Sequence, residues 1–391
     1  MGQGQLEIVF LQSDGTTLLG TGGSLWLDIR DIKTMYQRAI ASMAGPNEPP
    51  LAEPYALPDF STFDDSGLTT QVDSTNAFSK SWDETKQCLV YVHGWNDNYD
   101  HAINNSEIIF KRLWWQGFKG RLVAYRWPTL TGVSTFNASE WIAWVYGKPF
   151  KNYVNSIKAQ FDLMSIASTS QGPVVVTSAI QQGLHFDNFI MMQAALPTGC
   201  YTTAADPDDH YNSYKKFTDA ELLAPTPNLA SGLGYRNYIA PSKTNVRNYH
   251  CFYNPNDWAL VTGSIRLLGN VSWEYNQTAF KPDLNPMQNN YVTGYKCNVQ
   301  NMTSTLVKAG FPDTTLHTVT DIHESMSFVA RPRSQAAGAD PNSQAVFGDG
   351  INLSQPPYSF TNTKSDHSAE FERDYNEVYS FYKTFRKFIV P

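Results

Sequence analysis

The segment FDLMSIASTSQGPVVVTSAIQQG, residues 161–183, contains a strand, a tight turn and a helix in immediate succession. The apolar run from Leu163 to Ala167 is typical of a buried strand, and a helical pattern begins at Pro173 and ends at a glycine. Between them lies the serine-rich turn STSQG, residues 168–172. This order predicts one strand–turn–helix unit of an α/β domain.

The same alternation of strand and helix continues on both sides of this unit. Continuous apolar runs, typical of buried parallel strands, occur in QCLVYVHG (87–94), GRLVAYRWP (120–128), FDNFIMMQAALP (186–197) and NVRNYHCFYNP (245–255). Helical spacing of apolar residues marks 102–117 and the amphipathic C-terminal segment 368–390. Strands and helices at this spacing predict a mostly parallel sheet with helices on both faces.

The sequence divides into four stretches. Residues 1–75 contain two strand-like apolar runs, a predicted helix in DIKTMYQRAIASM (31–43) and a Pro-rich connection. Residues 76–257 form the first part of the core, with an insertion at 197–244. Residues 258–355 are expected to form a second insertion or cap, and 356–391 to complete the core. Both insertions are rich in Gly, Pro, Asn, Ser and Asp, so we expect loops above the sheet, as in a lid.

Composition excludes several classes of function. Hydrophobic residues make up 41% of the 391 residues, which is enough for a globular core. The net charge of −7 and the lack of basic clusters argue against nucleic-acid binding. No apolar stretch has the length of a membrane span, and the N-terminus lacks the pattern of a signal peptide. The four cysteines form no C-x-x-C pair, so we expect no structural zinc site.

Three chemically competent side chains lie next to the ends of predicted elements, at one edge of the predicted sheet. Ser170 comes directly after a strand, Asp257 follows a later strand, and His367 precedes the last helix. The carboxyl ends of parallel strands meet at one edge, which is where ligands bind in such sheets. The order Ser, Asp, His along the chain is the order that the α/β-hydrolase fold imposes on its catalytic triad.

The chain thus resembles the α/β-hydrolase superfamily, in particular its serine esterases and lipase-like members. The resemblance rests on HGW (93–95), STSQG (168–172), NPND (254–257) and DHSAEF (366–371), and covers about 87–257 and 365–391. It implies that Ser170 is the nucleophile, His367 the general base and Asp257 the acid that orients it. It also implies an oxyanion hole formed by the backbone N–H groups of Gln171 and Trp95. The pattern departs from G-x-S-x-G, because Ser168 replaces the first glycine.

Each assignment has an alternative. Ser170 could be an ordinary turn serine, and Asp257 an Asx-turn or helix-capping residue. Asp321 and Asp349 are rival acids, and His323 is a rival base. His93 is interpreted as a structural histidine of the HG turn rather than a proton carrier.

The resulting hypothesis is a metal-independent hydrolase of small or polymeric carboxylic esters. No G-x-G-x-x-G or P-loop motif is present, so no cofactor is expected. Two alternatives stay open. One is a catalytically impaired binding module with the hydrolase fold, and the other is an amidase, thioesterase or acyltransferase on the same fold.

Overall fold

A computed structural model describes most of the predicted core. The described residues are 2–42, 68–76, 78–79, 83–129, 142–143, 146–196, 201, 240–257, 260, 265–267, 271–273, 337–339, 341, 343–358, 360 and 366–390. The Pro-rich connection and most of the two expected insertions lie outside these ranges. The segment expected as the second insertion nevertheless contributes a short helix and three short strands to the described part.

The described residues form strands and helices in alternation along the core. The strands are β1 Gly2–Leu11, β2 Leu18–Ile29, β3 Gln37–Ser42, β4 Thr69–Val72, β5 Gln87–Val92, β6 Arg121–Arg126, β7 Leu163–Thr169, β8 Phe186–Met192, β9 Val246–Tyr253, β10 Ile265–Leu267, β11 Val271–Trp273 and β12 Gly350–Asn352. The α-helices are α1 Tyr99–Trp115, α2 Gly147–Lys158, α3 Gly172–Gln181, α4 Ser343–Phe347, α5 Ala369–Glu372 and α6 Tyr375–Ile389. Short 3₁₀ helices span Ile32–Thr34, Ala240–Asn245 and Asp366–Ser368.

Among the described residues, eight strands form one sheet in the order β12-β9-β8-β7-β5-β6-β3-β4. Neighbouring strands are parallel except for the antiparallel pair of β3 and β4. The chain passes from β5 outward to β6 and then returns to β7 on the other side of β5. This reversal opens a crevice at the carboxyl ends of β5 and β7, where open α/β sheets bind their ligands. The predicted fold class, a mostly parallel α/β-hydrolase sheet covered by helices, is confirmed.

Alternate side chains of the strands pack against helices on the two faces of the sheet. On one face, Leu89 and Tyr91 of β5 belong to a buried cluster with Ile109 of α1 and Phe381 and Phe385 of α6. On the other face, α3 packs against β5 and β7, and α2 packs against α3. Fully burying a Leu or Phe side chain contributes about 1.5–3 kcal/mol, so this two-faced burial stabilises the sheet whose edge carries the site.

The predicted helix over residues 31–43 is wrong. The structure has one 3₁₀ turn at Ile32–Thr34 and then strand β3. Ala39 and Ala41 are buried, whereas Arg38 and Ile40, the residues that precede them, are less so, which is the two-residue period of a strand. Pairing with β6 on one side and β4 on the other satisfies the backbone of β3, and this long-range pairing overrides the local helical pattern.

The two N-terminal apolar runs are strands, but they do not join the large sheet. β1 and β2 pair with each other in an antiparallel hairpin. Its turn is closed by Asp14, whose Oδ1 accepts hydrogen bonds from the N–H groups of Thr16 and Thr17. Leu6 and Leu19 of the hairpin are more than half exposed. The hairpin side chains that the structure describes, those of residues 6–25, therefore lie outside the buried core.

Candidate active site

Ser170 occupies the turn between β7 and α3 with a left-handed backbone. Its φ of 51° is uncommon for a residue with a side chain and stores conformational strain. Two backbone hydrogen bonds hold it there: Ser170 N donates to Met192 O at 3.1 Å, and Ala195 N donates to Ser170 O at 2.6 Å. The strained turn presents the Ser170 hydroxyl at the carboxyl edge of the sheet, as a nucleophile elbow does.

The two flanking positions of the elbow explain which glycine is required. A Cβ at Gly172 would lie 2.5 Å from His93 O and 2.6 Å from Val92 O, so only glycine fits below this turn. Position 168, where the motif has its first glycine, accommodates a fully buried serine at the end of β7. The departure from G-x-S-x-G therefore leaves the turn intact.

Ser170, His367 and Asp257 form one hydrogen-bonded chain. His367 Nε2 lies 3.0 Å from Ser170 Oγ, and His367 Nδ1 lies 2.6 Å from Asp257 Oδ2. Because one ring nitrogen faces a carboxylate and the other a hydroxyl, the proton of neutral His367 belongs on Nδ1 and Nε2 accepts from Ser170. This geometry can deprotonate the serine hydroxyl.

Asp257 is held as an acceptor by a fixed environment. It is fully buried, and its N–H donates to Asn254 O at 2.9 Å in the turn after β9. Its Oδ1 accepts from Leu260 N at 3.2 Å, while its Oδ2 accepts from the Gln193 side-chain amide at 2.7 Å as well as from His367. These donors compensate for burial of the carboxylate.

The charge on Asp257 changes the basicity of His367. Burial by itself lowers the pKa of His367, but the charge and hydrogen bond of Asp257, with a smaller contribution from the charge of Glu372, outweigh burial and raise it above the usual value. The raised pKa means that the imidazolium, the form His367 would take after accepting a proton, is stabilised in this site.

The loop after β5 lies directly against Ser170. A Cβ at Gly94 would lie 2.8 Å from Ser170 Cβ, so glycine permits this approach. Gln171 follows Ser170 and Trp95 follows Gly94 along the chain, so each expected oxyanion donor is the sequence neighbour of one of the two residues in this contact. Asp97 shapes this loop, since its Oδ2 accepts from Gly94 N at 3.3 Å. Burial raises the pKa of Asp97 to about 7 despite the opposing effects of Gly94, Asn105 and His367.

The rival residues lie elsewhere or outside the described ranges. Asp349 Oδ2 is 2.6 Å from His250 Nδ1, so Asp349 partners another histidine. Asp321 and His323 lie outside the described residues. His93 is buried and stacked on Trp127 with ring centroids 5.6 Å apart.

His93 makes hydrogen bonds that fix a neutral ring. Trp127 N donates to His93 Nε2 at 3.3 Å, so Nδ1 carries the proton and donates to Gly94 O at 2.9 Å. Burial lowers its pKa to about 4, against the opposing hydrogen bonds of Gly94 and Trp127. This environment agrees with a structural part in the HG turn.

Sequence reasoning missed two residues of the site, Gln193 and Glu370. Gln193, at φ 45°, follows β8 and contacts Asp257; the only signal was a polar residue directly after an apolar run. Glu370 lies in α5 and is fully buried, with Thr169 Oγ1 donating to its Oε1 at 3.3 Å. A Glu in an amphipathic C-terminal segment is usually exposed, so the sequence gave no sign that Glu370 is buried.

The comparison with family models identifies the chain. The model of the family described as "Alpha/beta hydrolase of unknown function (DUF900)" matches residues 70–286, more than half of the 391 residues. The chain belongs to this family. The matched range of this α/β hydrolase contains Ser170 and Asp257, while His367 lies beyond it.

Solved structures similar to this α/β hydrolase include three of low identity. An uncharacterized protein from Bacillus cereus ATCC 10987 is 17% identical, with a TM-score of 0.22, over 30% of this chain and 37% of that protein. A structure from work on the metagenome-derived lipolytic enzymes LipS and LipT is 14% identical, with a TM-score of 0.23, over 44% of this chain and 73% of its own. Carboxyl esterase 2 from Tuber melanosporum is 10% identical, with a TM-score of 0.33, over 88% of this chain and 95% of that protein. The comparison with curated proteins found no match.

The described part of this α/β hydrolase contains neither a set of metal ligands nor a membrane-spanning helix. Within the described ranges, no group of three or more His, Cys, Asp or Glu side chains is arranged to hold a metal ion. In the same part of the chain, no helix combines the length and apolarity needed to cross a membrane.

Proposed function

We propose that this α/β hydrolase is a serine hydrolase that cleaves carboxylic esters through an acyl-enzyme intermediate on Ser170. The observation that carries the proposal is the chain from Ser170 Oγ through His367 to buried Asp257, with contacts of 3.0 Å and 2.6 Å, at a serine with positive φ. A serine that merely closed a turn would need neither a histidine within hydrogen-bond distance nor a buried acid behind that histidine.

In the proposed reaction, Ser170 Oγ attacks the ester carbonyl carbon while its proton passes to His367 Nε2. The imidazolium is stabilised by Asp257, which accepts the Nδ1 proton in a hydrogen bond. His367 then gives the proton to the departing alcohol as the carbon–oxygen bond breaks. A water, deprotonated by His367 in the same way, attacks the acyl-enzyme, and the released Ser170 regains its proton.

When Ser170 attacks, the carbonyl oxygen of the ester becomes negatively charged, and hydrogen-bond donors at a fixed position must stabilise this charge. We assign this task to the backbone N–H groups of Gln171 and Trp95, which follow Ser170 and Gly94 in the sequence, the two residues that lie in close contact. Gln171 is fully buried at the start of α3, where the partial positive charge of a helix N-terminus favours an anion. Losing one such donor costs about 3–4 kcal/mol of transition-state stabilisation.

The experiment that tests the proposal is labelling with a fluorophosphonate probe followed by mass mapping of the labelled peptide. Activated Ser170 Oγ attacks phosphorus and fluoride leaves, so the expected label lies on Ser170 and disappears in Ser170→Ala. Ser156→Ala is the matched control, because Ser156 is a serine on α2 whose hydroxyl donates to Tyr153 O. Its labelling should equal that of the wild type.

Absence of labelling on folded wild-type protein would overturn the proposal and favour the binding-module alternative. With labelling established, a panel of matched ester, amide and thioester substrates separates the remaining alternatives. Faster turnover of esters than of amides and thioesters is the expected result. Preference for an amide or thioester, or for transfer to an added alcohol over hydrolysis, would assign the corresponding activity instead.

A further inference from the structure

A buried carboxyl that the mechanism does not use lies behind the two reacting segments. Glu370 is fully buried, and its Oε1 accepts a hydrogen bond from Thr169 Oγ1 at 3.3 Å. Thr169 directly precedes the nucleophile Ser170, and Glu370 follows His367 by three residues. One side chain therefore connects the elbow to the segment that carries the histidine.

The backbone of Glu370 is held by hydrogen bonds from two long helices. Tyr382 Oη of α6 donates to Glu370 O at 2.9 Å, and the guanidinium of Arg112 of α1 also donates to this carbonyl. Arg112 further donates to Arg373 O at 2.6 Å. Two long helices thereby anchor the short helix α5, so a contact made by the Glu370 side chain is made from a rigid support.

The surroundings of the carboxyl favour its neutral form. Burial raises the pKa of Glu370 to about 8, and nearby Asp257 acts in the same direction. The N–H of Glu370 itself, the charge of His367 and the hydroxyl of Thr169 oppose the increase without cancelling it. At neutral pH Glu370 is thus mostly protonated, and it can accept from Thr169 without adding a second full charge beside Asp257.

We propose that Glu370 is a positioning residue that joins Thr169 of the nucleophile elbow to the segment bearing His367, and so keeps Ser170 Oγ within hydrogen-bond distance of His367 Nε2. This inference rests on the proposed serine-hydrolase function. The part played by Glu370 requires a neutral acceptor of this length, not a charge. Glutamine should therefore replace it, whereas an apolar side chain of similar size should not.

The test measures saturable fluorophosphonate labelling, which separates the maximal rate of labelling from the probe concentration giving half that rate. Glu370→Leu is expected to lower the maximal rate about tenfold or more, as loss of a hydrogen bond worth about 1.4 kcal/mol would. The half-saturating concentration should stay unchanged, because Glu370 does not contact the probe. Glu370→Gln should keep the maximal rate within about threefold of the wild type.

Thr169→Val removes the donor of the same hydrogen bond with little change in shape, and it should reproduce most of the loss. If the two side chains act through one contact, the double variant Thr169→Val, Glu370→Leu should lose little more than Glu370→Leu alone. The matched control is Glu377→Leu on α6, where an exposed Glu is replaced by the same residue. Circular dichroism verifies folding of each variant.

The outcomes distinguish this inference from the proposed function. Wild-type protein that is not labelled at Ser170 overturns the function and the inference together. If the wild type is labelled at Ser170 but the maximal rates of Glu370→Leu and Thr169→Val are unchanged, the proposed function stands and only the positioning role of Glu370 is overturned. A loss in Glu370→Gln as large as in Glu370→Leu also overturns it. If Glu370→Leu does not fold, Thr169→Val and Glu370→Gln decide the question alone, since the first must lose rate and the second must keep it.

Discussion

Gly94 and Ser170 approach so closely that a Cβ at position 94 would lie 2.8 Å from Ser170 Cβ and 3.2 Å from Thr169 O. The loop after β5 and the elbow after β7 therefore touch through backbone and Cβ atoms rather than through adaptable side chains. Because β5 and β7 are neighbours in the sheet, this contact fixes the distance between Ser170 and the loop that contains Trp95.

Substitution Gly94→Ala should reduce labelling of Ser170 by at least about tenfold. The added methyl group meets Ser170 Cβ and the backbone of Thr169, so either the elbow or the loop must shift, and overpacking of this kind costs about 1–3 kcal/mol. Gly23→Ala is the control, since no atom lies within 4 Å of a Cβ there. Equal labelling rates in Gly94→Ala and wild type would contradict the contact's catalytic importance.

The identity of the catalytic acid is tested by two matched substitutions. Asp257→Asn should lower the labelling rate by a factor on the order of 10³ to 10⁴, because an amide can no longer orient and stabilise the His367 imidazolium. Asp349→Asn should leave the rate unchanged, since Asp349 contacts His250 and not His367. The rates are measured with the same fluorophosphonate probe. A slow Asp349→Asn variant together with an unaffected Asp257→Asn variant would instead identify Asp349 as the acid that orients His367.

The labelling rate should depend on pH through His367. Only the neutral imidazole accepts a proton, so the rate falls as the pH falls through the pKa of His367. Opposing the effect of burial, Asp257 raises that pKa above its usual 6.5, so the midpoint of the acidic limb should lie above 6.5. Labelling rates between about pH 5 and about pH 8 measure it.

The same titration in the residual activity of Asp257→Asn provides the control. Without the carboxylate charge, the lowering of the His367 pKa by burial is no longer outweighed by Asp257, so the midpoint should shift to lower pH. An unchanged midpoint would mean that another group sets the acidic limb.

The large sheet was predictable because its central strands are continuous apolar runs, and such runs occur where both faces of a parallel strand are buried. The positions of Ser170, Asp257 and His367 could be expected for a related reason, since each follows or precedes an element whose end faces the same edge. Strand β3 could not be predicted, because its partners β6 and β4 lie far away in sequence and its local pattern fits a helix.

The supporting residues of the site were hidden for a different reason. Gln193 and Glu370 acquire their environment from contacts with residues about 60 and 200 positions away, respectively. A Gln after a strand and a Glu in a short helix are ordinary surface residues in most sequences. Only the folded topology makes them buried neighbours of Asp257 and Thr169, so no local pattern distinguishes them.

Substitution Gln193→Met should slow labelling of Ser170 by about tenfold to a hundredfold. The change removes the amide that donates to Asp257 Oδ2 at 2.7 Å, and hydrogen bonds to charged groups contribute about 1.5–3 kcal/mol. Methionine keeps the length of the side chain and carries the same backbone cost at φ 45°. Gln182→Met, at the end of α3, serves as the control. A rate equal to the wild type would show that Asp257 needs no support from Gln193.

Substitution Ser168→Ala should stabilise the fold by about 1 kcal/mol without loss of labelling. Ser168 is fully buried, and within the described part of the chain its Oγ has no hydrogen-bond partner, so the hydroxyl is desolvated without compensation. Ser165→Ala on the same strand is the matched comparison, because Ser165 Oγ accepts from Asn188 Nδ2 at 3.1 Å and its removal should destabilise the protein. Urea unfolding measures both free energies. Destabilisation of Ser168→Ala as large as that of Ser165→Ala would mean that the Ser168 hydroxyl makes a favourable interaction, and that serine at the first position of the elbow supports the turn instead of merely being tolerated there.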